Sequence, residues 1–296
     1  MSSPDGDRTV LVTGASSGIG RATALELARR GDRLVLVARG KQALEEAAEE
    51  ARAAGAGEVV VAPADVNDEG ALHRVVDDAV ERWGRLDVVV HSAQVMAYGR
   101  VEDVPAEVYE TVVDTALHGT ANLARAVIPL FRRQERGSLV VVSSLLASVT
   151  TPWLGAYIAA KWGQMGLVRV LQQENRDVPG IAISTVSPGG VDTPIYYKGA
   201  SYLGSTGRPP PPVYTPQRVA RKIVATLDRP QRQVHAGFAN PLFVAGFRLF
   251  PALYDAMVGP LMKAAGIARD QIAPTVGNVF ESRPETNTLR GRWRGL

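Results

Sequence analysis

The sequence predicts a doubly wound α/β protein, a seven-stranded parallel sheet with helices on both faces, followed by a C-terminal helical extension. Three observations predict it. Short β-branched runs alternate with longer helical patterns from residue 9 to about residue 237. Most of those runs are continuously apolar, as parallel strands buried on both faces must be. Glycines stand just past several helical patterns and supply the left-handed residue that ends a helix.

The predicted strands are Thr9–Val12, Leu34–Ala38, Val59–Ala62, Leu86–His91, Ser138–Ser143 and Ile181–Val186, with Gln233–Ala236 as the seventh. Between them, helices are predicted at Ile19–Arg30, Gln42–Ala54 and Glu69–Trp83, stopped by Gly31, Gly55 and Gly84. Further helices are expected at Pro105–Arg133, Leu154–Asn175 and Thr215–Leu227. Two regions break this rhythm. Thr193–Thr215 is rich in Gly, Pro and Tyr, includes the run Pro209–Pro212, and is too long for an ordinary connection, so a functional lid is expected. Pro241–Met262 is apolar and helix-like but interrupted by Arg248, Pro251 and Asp255. It is expected to cover a pocket or form a subunit contact rather than rest on a membrane surface. Beyond Ala273 the chain turns polar, with Arg283, Arg290, Arg292 and Arg294, and reads as a draped or disordered tail.

Bulk properties narrow the function. The balance of 33 Lys+Arg against 30 Asp+Glu leaves only +3 over 296 residues, and no basic block is long enough to track nucleic acid. Cysteine is absent, which excludes disulfides and thiolate chemistry. Met1–Arg8 carries no signal-peptide pattern, and no apolar run reaches the ~18 residues of a membrane span, so a soluble, cytoplasmic protein is expected. His73, His91, His118 and His235 are scattered without metal-ligand spacing, and no metal is expected.

The chemistry begins between the first strand and the first helix, at Thr13-Gly14-Ala15-Ser16-Ser17-Gly18-Ile19-Gly20. Gly14 permits the tight turn, Gly18 lets backbone approach a pyrophosphate, and Gly20 allows close helix–strand packing. The helix opening near Ile19 turns its unsatisfied N–H groups and positive dipole end toward that pyrophosphate. Cofactor choice is read at the end of the second strand, where a carboxylate would bond the ribose 2′-OH of NAD and repel a 2′-phosphate. Here stand Ala38, Arg39, Gly40 and Lys41. Arg39 can grip a phosphate with its planar fork, which predicts NADP(H). Asp65 is a candidate for the adenine edge or, equally, for a helix cap. Ser16, Ser17, Ile19, Val66 and Ala93 are further candidates for cofactor contact.

At the end of the fifth strand stands Ser143-Ser144, and thirteen residues on comes Tyr157-Ile-Ala-Ala-Lys161. A spacing of four places Tyr157 and Lys161 on one helix face. A phenol titrates near ~10, and an ammonium ~4 Å away at an effective dielectric of ~20 favours its phenolate by up to ~4 kcal/mol. Tyr157 is therefore expected to exchange a proton with a carbonyl or alcohol oxygen that Ser144 holds by a hydrogen bond.

The glycine loop, Ser144, Tyr157/Lys161 and the run Ser187-Pro188-Gly189-Gly190-Val191-Asp192-Thr193 together resemble the short-chain dehydrogenase/reductase family over roughly residues 8 to 237. The resemblance implies a Rossmann fold, a tyrosine acid/base, and a lysine that also holds the nicotinamide ribose. It implies that Pro188, Gly189 and Val191 shape the nicotinamide site, that Thr193 binds the carboxamide, and that the protein is a homodimer or homotetramer. On this reading residues 8–237 form a dinucleotide-binding and catalytic domain with its lid at 193–215, and 238–296 form a helical extension and tail. Two departures stand out. Where the family carries Asn-Asn-Ala-Gly, this chain has His91-Ser92-Ala93-Gln94, which puts a side chain at a tight place and makes His91 an internal hydrogen-bonding group. Where it carries Asn-x-x-Gly, this chain has Ala116-Leu117-His118-Gly119. The family's Asn supports a helix irregularity whose carbonyl holds a relay water. His118, about 200° around the helix from Ala116, cannot take its place.

The pocket is expected to form from Leu145, Leu146, Val149, Trp153, Met96, Tyr196, Tyr197 and Tyr202, with Leu146, Trp153 and Tyr196 as its leading candidates. Their apolar and aromatic character favours a small lipophilic carbonyl or alcohol. Two functions follow: an NADP(H)-dependent oxidoreductase, or an NADP(H)-binding sensor or scaffold of the same fold with little turnover.

Overall fold

The computed structural model describes residues 8–293; Met1–Asp7, the bulk of the N-terminal stretch considered above, and Arg294 of the tail lie outside the described residues. Seven strands, β1 (Thr9–Thr13), β2 (Arg33–Ala38), β3 (Glu58–Pro63), β4 (Val88–His91), β5 (Gly137–Val142), β6 (Ile181–Pro188) and β7 (Gln233–Ala236), form one parallel sheet. Their order is β7-β6-β5-β4-β1-β2-β3, with Val10 of β1 in register with Leu34 on one side and Val88 on the other. The chain winds outward from β1 to β3, then returns beside β1 as β4. That reversal opens a crevice at the carboxyl ends of β1 and β4, where doubly wound sheets bind their ligands.

Side chains alternate across each strand, so both sheet faces are apolar. Val10, Val12, Leu34, Leu36, Val88 and Val90 face α1 (Gly18–Ala28), α2 (Lys41–Ala53) and α8 (Pro216–Asp228). Leu11, Val35, Val37, Val89, Leu139 and Val141 face α3 (Glu69–Trp83) and α5 (Gly119–Gln134). At ~25 cal/mol per Å² of apolar area, these two layers supply most of what opposes chain entropy. The predicted elements lie within a residue or two of the observed ones, with two exceptions.

Pro105–Arg133 is not one helix. It divides into α4 (Ala106–Val113), a π-turn at Asp114–His118 and α5. Pro241–Met262 is likewise two helices, α9 (Asn240–Leu249) and α10 (Pro251–Ala265), because Phe250 leaves helical geometry and Pro251 opens the next helix. Between β6 and α8, the segment at 193–215 contains the short helix α7 (Ile195–Lys198). Ala200–Ser201 pairs with Ala97–Tyr98, and Val213–Tyr214 pairs with Gly190–Val191, so this segment is stitched to the body at two points. α6 (Gly155–Glu174) carries the Tyr-x-x-x-Lys pair.

The polar tail is draped rather than disordered. Thr275 N–H donates to Ser201 O at 3.0 Å, Gly18 N–H to Thr288 O at 3.1 Å, and Trp293 N–H to Asp192 Oδ1 at 3.1 Å. It thereby crosses the mouth of the crevice. Among the described residues no helix is long and apolar enough to cross a membrane.

Candidate active site

A cleft of about 550 Å³ runs from the glycine loop, across the ends of β4 and β5, to α9 and α10. Gly14, at φ +67°, starts it: a Cβ there would stand 2.8 Å from the Ala93 amide nitrogen, so only glycine fits. Gly14, Ser16, Ser17, Gly18 and Ile19 line the cleft. Gly20 does not, which corrects its placement among the cofactor contacts. A Cβ on Gly20 would lie 2.2 Å from Gly14 O, so this glycine lets α1 pack against the loop.

At the adenosine end, Arg39, Asp65 and Val66 line the cleft. Arg39 is turned toward the tail, its Nη1 donating to Val279 O at 2.8 Å and Phe280 O at 3.0 Å, its Nη2 to Asn278 O at 2.6 Å. Burial holds its guanidinium below the ordinary value, with Asp65 opposing that shift. Asp65 does not cap a helix. It accepts from Asn67 N–H at 2.9 Å, and the cap of α3 is Asp68, which accepts from Ala71 N–H at 2.8 Å. A glycine turn that no Cβ could enter, a helix start that lines the cleft and a cation at the β2 end suit a dinucleotide with a 2′-phosphate.

Ala93, Pro188, Gly189, Val191 and Thr193 line the next part of the cleft. His91 beneath it is fully buried, and Thr13 Oγ1 lies 2.8 Å from its Nδ1. Because that hydroxyl already accepts from the amides of Ser92 and Ala93, its proton points to Nδ1 and the imidazole proton sits on Nε2. Burial, then the Lys161 charge, pulls His91 down to about 3, so it is a neutral structural group, as expected. Gln94 lines the cleft and folds its amide back onto Val95 O at 2.7 Å.

Tyr157, on the first turn of α6, is buried within hydrogen-bonding reach of Ser144. Ser144 Oγ also accepts from Leu146 N–H at 3.1 Å, which fixes the hydroxyl at the end of β5. Lys161 sits one turn further on, its Nζ 5.7 Å from the Tyr157 ring centroid. It donates to Val142 O at 3.1 Å and Gln164 Oε1 at 3.0 Å. The expected lowering of the phenol by the ammonium is not found in the free protein. Burial pushes Tyr157 up to about 12, only partly offset by the Ser144 bond, and pushes Lys161 down to about 7. Desolvation penalises both charged forms, and the ammonium turns its donors to neutral oxygens rather than to the phenol.

Gln164 is the residue that sequence reasoning missed. Its Nε2 donates to Ala116 O at 3.1 Å and to Thr120 Oγ1 at 2.8 Å, while Thr120 donates to Ala116 O at 2.6 Å. The π-turn thus survives without an Asn, and an amide joins its carbonyl directly to Lys161. The signal was present: a polar residue three positions after Lys161, on the same face of the helix. His118 lies on the exposed side, 2.7 Å from Asp114, and takes no part.

The far half of the cleft is apolar. Met96, Leu145, Leu146, Val149 and Tyr196 line it, closed by α9 and α10 through Phe243, Phe250 and Met257. Trp153 is not among the lining residues; its backbone has φ +68°, and its ring packs under Lys263, 5.9 Å from the centroid. Leu154 lines the cleft in its stead. Tyr197 and Tyr202 are also outside the lining, and Tyr197 lies under Arg292 of the tail at 4.5 Å.

This geometry defines a nucleotide-dependent oxidoreductase site, and comparison agrees. The family model for short chain dehydrogenase matches residues 8–200, and the chain belongs to the short-chain dehydrogenase/reductase family. It is 30% identical over 259 residues to the uncharacterized oxidoreductase YxnA of Bacillus subtilis, covering 86% of this chain and 72% of that protein. It is 34% identical over 237 residues to 11-beta-hydroxysteroid dehydrogenase A of Sesamum indicum, covering 77% of this chain and 67% of that one. Among solved structures it resembles an alcohol dehydrogenase of the archaeon Thermococcus sibiricus complexed with 5-hydroxy-NADP, with TM-score 0.66 and 29% identity over 77% of this chain and 94% of that one. The chain is an oxidoreductase of this family.

Proposed function

We propose that this protein is an NADP(H)-dependent reductase of small lipophilic ketones or aldehydes, able to run in reverse on the corresponding alcohols. The observation that carries the reading is Tyr157, placed between Ser144 and Lys161 where the cleft from the glycine loop becomes apolar. Bound NADPH supplies the hydride, and bound NADP⁺ accepts it. Gly14, Ser16, Ser17, Gly18 and Ile19 would hold the pyrophosphate end, Arg39 would supply the charge for the 2′-phosphate, and Asp65, Val66 and Ala93 would contact the adenosine half. Pro188, Gly189, Val191 and Thr193 would shape the nicotinamide end, and Lys161 would hold its ribose.

Ser144 and Tyr157 hold the carbonyl oxygen of the substrate. Because burial keeps Tyr157 protonated at neutral pH, its hydroxyl is ready to donate, which suits the reducing direction. As the carbonyl carbon gains hydride, its oxygen takes the phenolic proton. The ammonium of Lys161 and the Ser144 hydroxyl then stabilise the phenolate left behind. Leu146, Tyr196 and the helices α9 and α10 exclude water from the reacting carbon and favour an apolar substrate. A relative named as a hydroxysteroid dehydrogenase supports that substrate class. The same proposal carries residues 8–237 as the catalytic domain, a cytoplasmic location, and the dimer or tetramer implied by family resemblance.

Cofactor absorbance read over a panel of lipophilic carbonyls tests it. Wild type is expected to oxidise NADPH, and Tyr157→Phe to lose 10²- to 10⁴-fold in kcat with NADPH affinity kept. Tight NADPH binding with silence across the panel would return the protein to the sensor or scaffold reading.

A further inference from the structure

At the adenosine end, a second cation faces the glycine loop that neither the motif nor the β2 end accounts for. Lys198 is the last residue of α7, in the lid, and its side chain is buried. Its Nζ donates to Ser17 Oγ at 2.9 Å and to Asn287 Oδ1 at 3.1 Å, both neutral. Lys198, Arg39 and Ser17 line the same cleft, and Asn287 and Ser282 of the tail line its outer wall. Burial, then the charge of Arg39, pushes Lys198 down to about 8. Among the described residues no carboxylate is paired with Lys198, and Arg39 is bonded to backbone carbonyls alone.

Two cations close enough to repel and drawn out of water, with Asp65 acting on Arg39 but no carboxylate on Lys198, form a costly arrangement unless a ligand brings the missing charge. The position names the ligand. Ser17 belongs to the phosphate loop, and Arg39 stands where the ribose 2′-position is read. A phosphate monoester carries a charge near −2 and accepts several bonds at once, as two cations and a serine require.

We propose that Lys198, delivered by the lid and closed in by Asn287 of the tail, is a second cation for the 2′-phosphate and sets the preference for NADP(H) over NAD(H). The inference rests on the cofactor reading above. The Lys198 ammonium donates to a phosphate oxygen opposite Arg39, while Ser17 and Asn287 hold the amine in place. NAD(H), with a neutral hydroxyl there, leaves Lys198 without an anion.

Equilibrium binding to the intact protein tests this without turnover. The dissociation constants of NADPH, NADH, adenosine 2′,5′-bisphosphate and 5′-AMP are measured for wild type, Lys198→Met and Lys198→Arg. Lys198→Met is expected to weaken NADPH and the bisphosphate tenfold to a hundredfold and to leave NADH and 5′-AMP within about twofold. Lys198→Arg restores most of the loss, and the salt dependence of NADPH binding shrinks in Lys198→Met. Equal weakening of all four nucleotides would show that Lys198 only anchors the tail, and no change would remove it from the site; either overturns the proposal. A wild type that binds neither dinucleotide sinks the cofactor reading itself, whereas a wild-type preference retained by Lys198→Met sinks this inference alone. If Lys198→Met fails to fold, Lys198→Gln serves with the same criteria.

Discussion

Two buried lysines stand at opposite ends of one cleft. Lys161 is held down to about 7 and Lys198 to about 8, and both donate only to neutral oxygens. They differ in what holds them. Lys161 sits inside α6, bonded to the end of β5 and, through Gln164, to the π-turn between α4 and α5. Lys198 sits between a lid helix of four residues and a tail that returns from almost ninety positions further along. Chemistry is thus built on the sheet and its first layer of helices. Recognition of the cofactor's far end, as proposed, is assembled from segments far apart in sequence.

The largest expected effect breaks the rigid end. Gln164→Leu strips Lys161 of its amide acceptor and leaves the buried Ala116 carbonyl with Thr120 alone, a loss of about 1–3 kcal/mol or roughly 5- to 150-fold in kcat. Ala116→Asn should also be harmful by itself, since Gln164 already fills that corner. If the two positions act together, Ala116→Asn in the Gln164→Leu background recovers activity, and the double-mutant cycle is strongly non-additive. Additive losses would show that Gln164 merely fills space.

Titration compares the ends next. Burial lowers both lysines, so each is charged below its own value and neutral above it. The kcat/KM for NADPH, which reports free-enzyme groups, should decline in two stages, first near about pH 7 and then near about pH 8. Lys198→Met should erase the upper stage and leave the lower one. A flat profile between pH 6 and 9 would contradict both assignments.

The smallest effect is on the tail. Arg39→Ala removes three donors to the carbonyls of Asn278, Val279 and Phe280. Amide hydrogen exchange across 276–288 should quicken about tenfold, with no change in α6. Unchanged protection would mean that Thr288, Asn287 and Trp293 suffice to hold the tail.

Most of the fold was legible because it depends on local pattern. Apolar runs gave the strands, and Gly31, Gly55 and Gly84 marked helix ends. The π-turn was hidden because an i→i+5 bond leaves no compositional trace when Asn is replaced by Ala116. Trp153 looked like a pocket wall by helical spacing, but its left-handed backbone takes it outside the helix where that spacing applies. In the site, Tyr157, Lys161 and Ser144 declared themselves by order and spacing. Lys198 could not, because its partners Ser17 and Asn287 lie far away in sequence on either side, and periodicity reports neighbours only. The tyrosine's proton affinity was misjudged for a related reason: spacing reveals which charge is near, but not how much water has left.

Thr288 bonding the amide of Gly18 has a consequence for biosynthesis. The phosphate loop leaves the ribosome some 270 residues before the groups that close over it. A nascent chain therefore carries the motif long before it has the finished receptacle. Assembly of the closed receptacle waits until synthesis has passed the segment that seals it, so it trails the motif by most of the length of the chain.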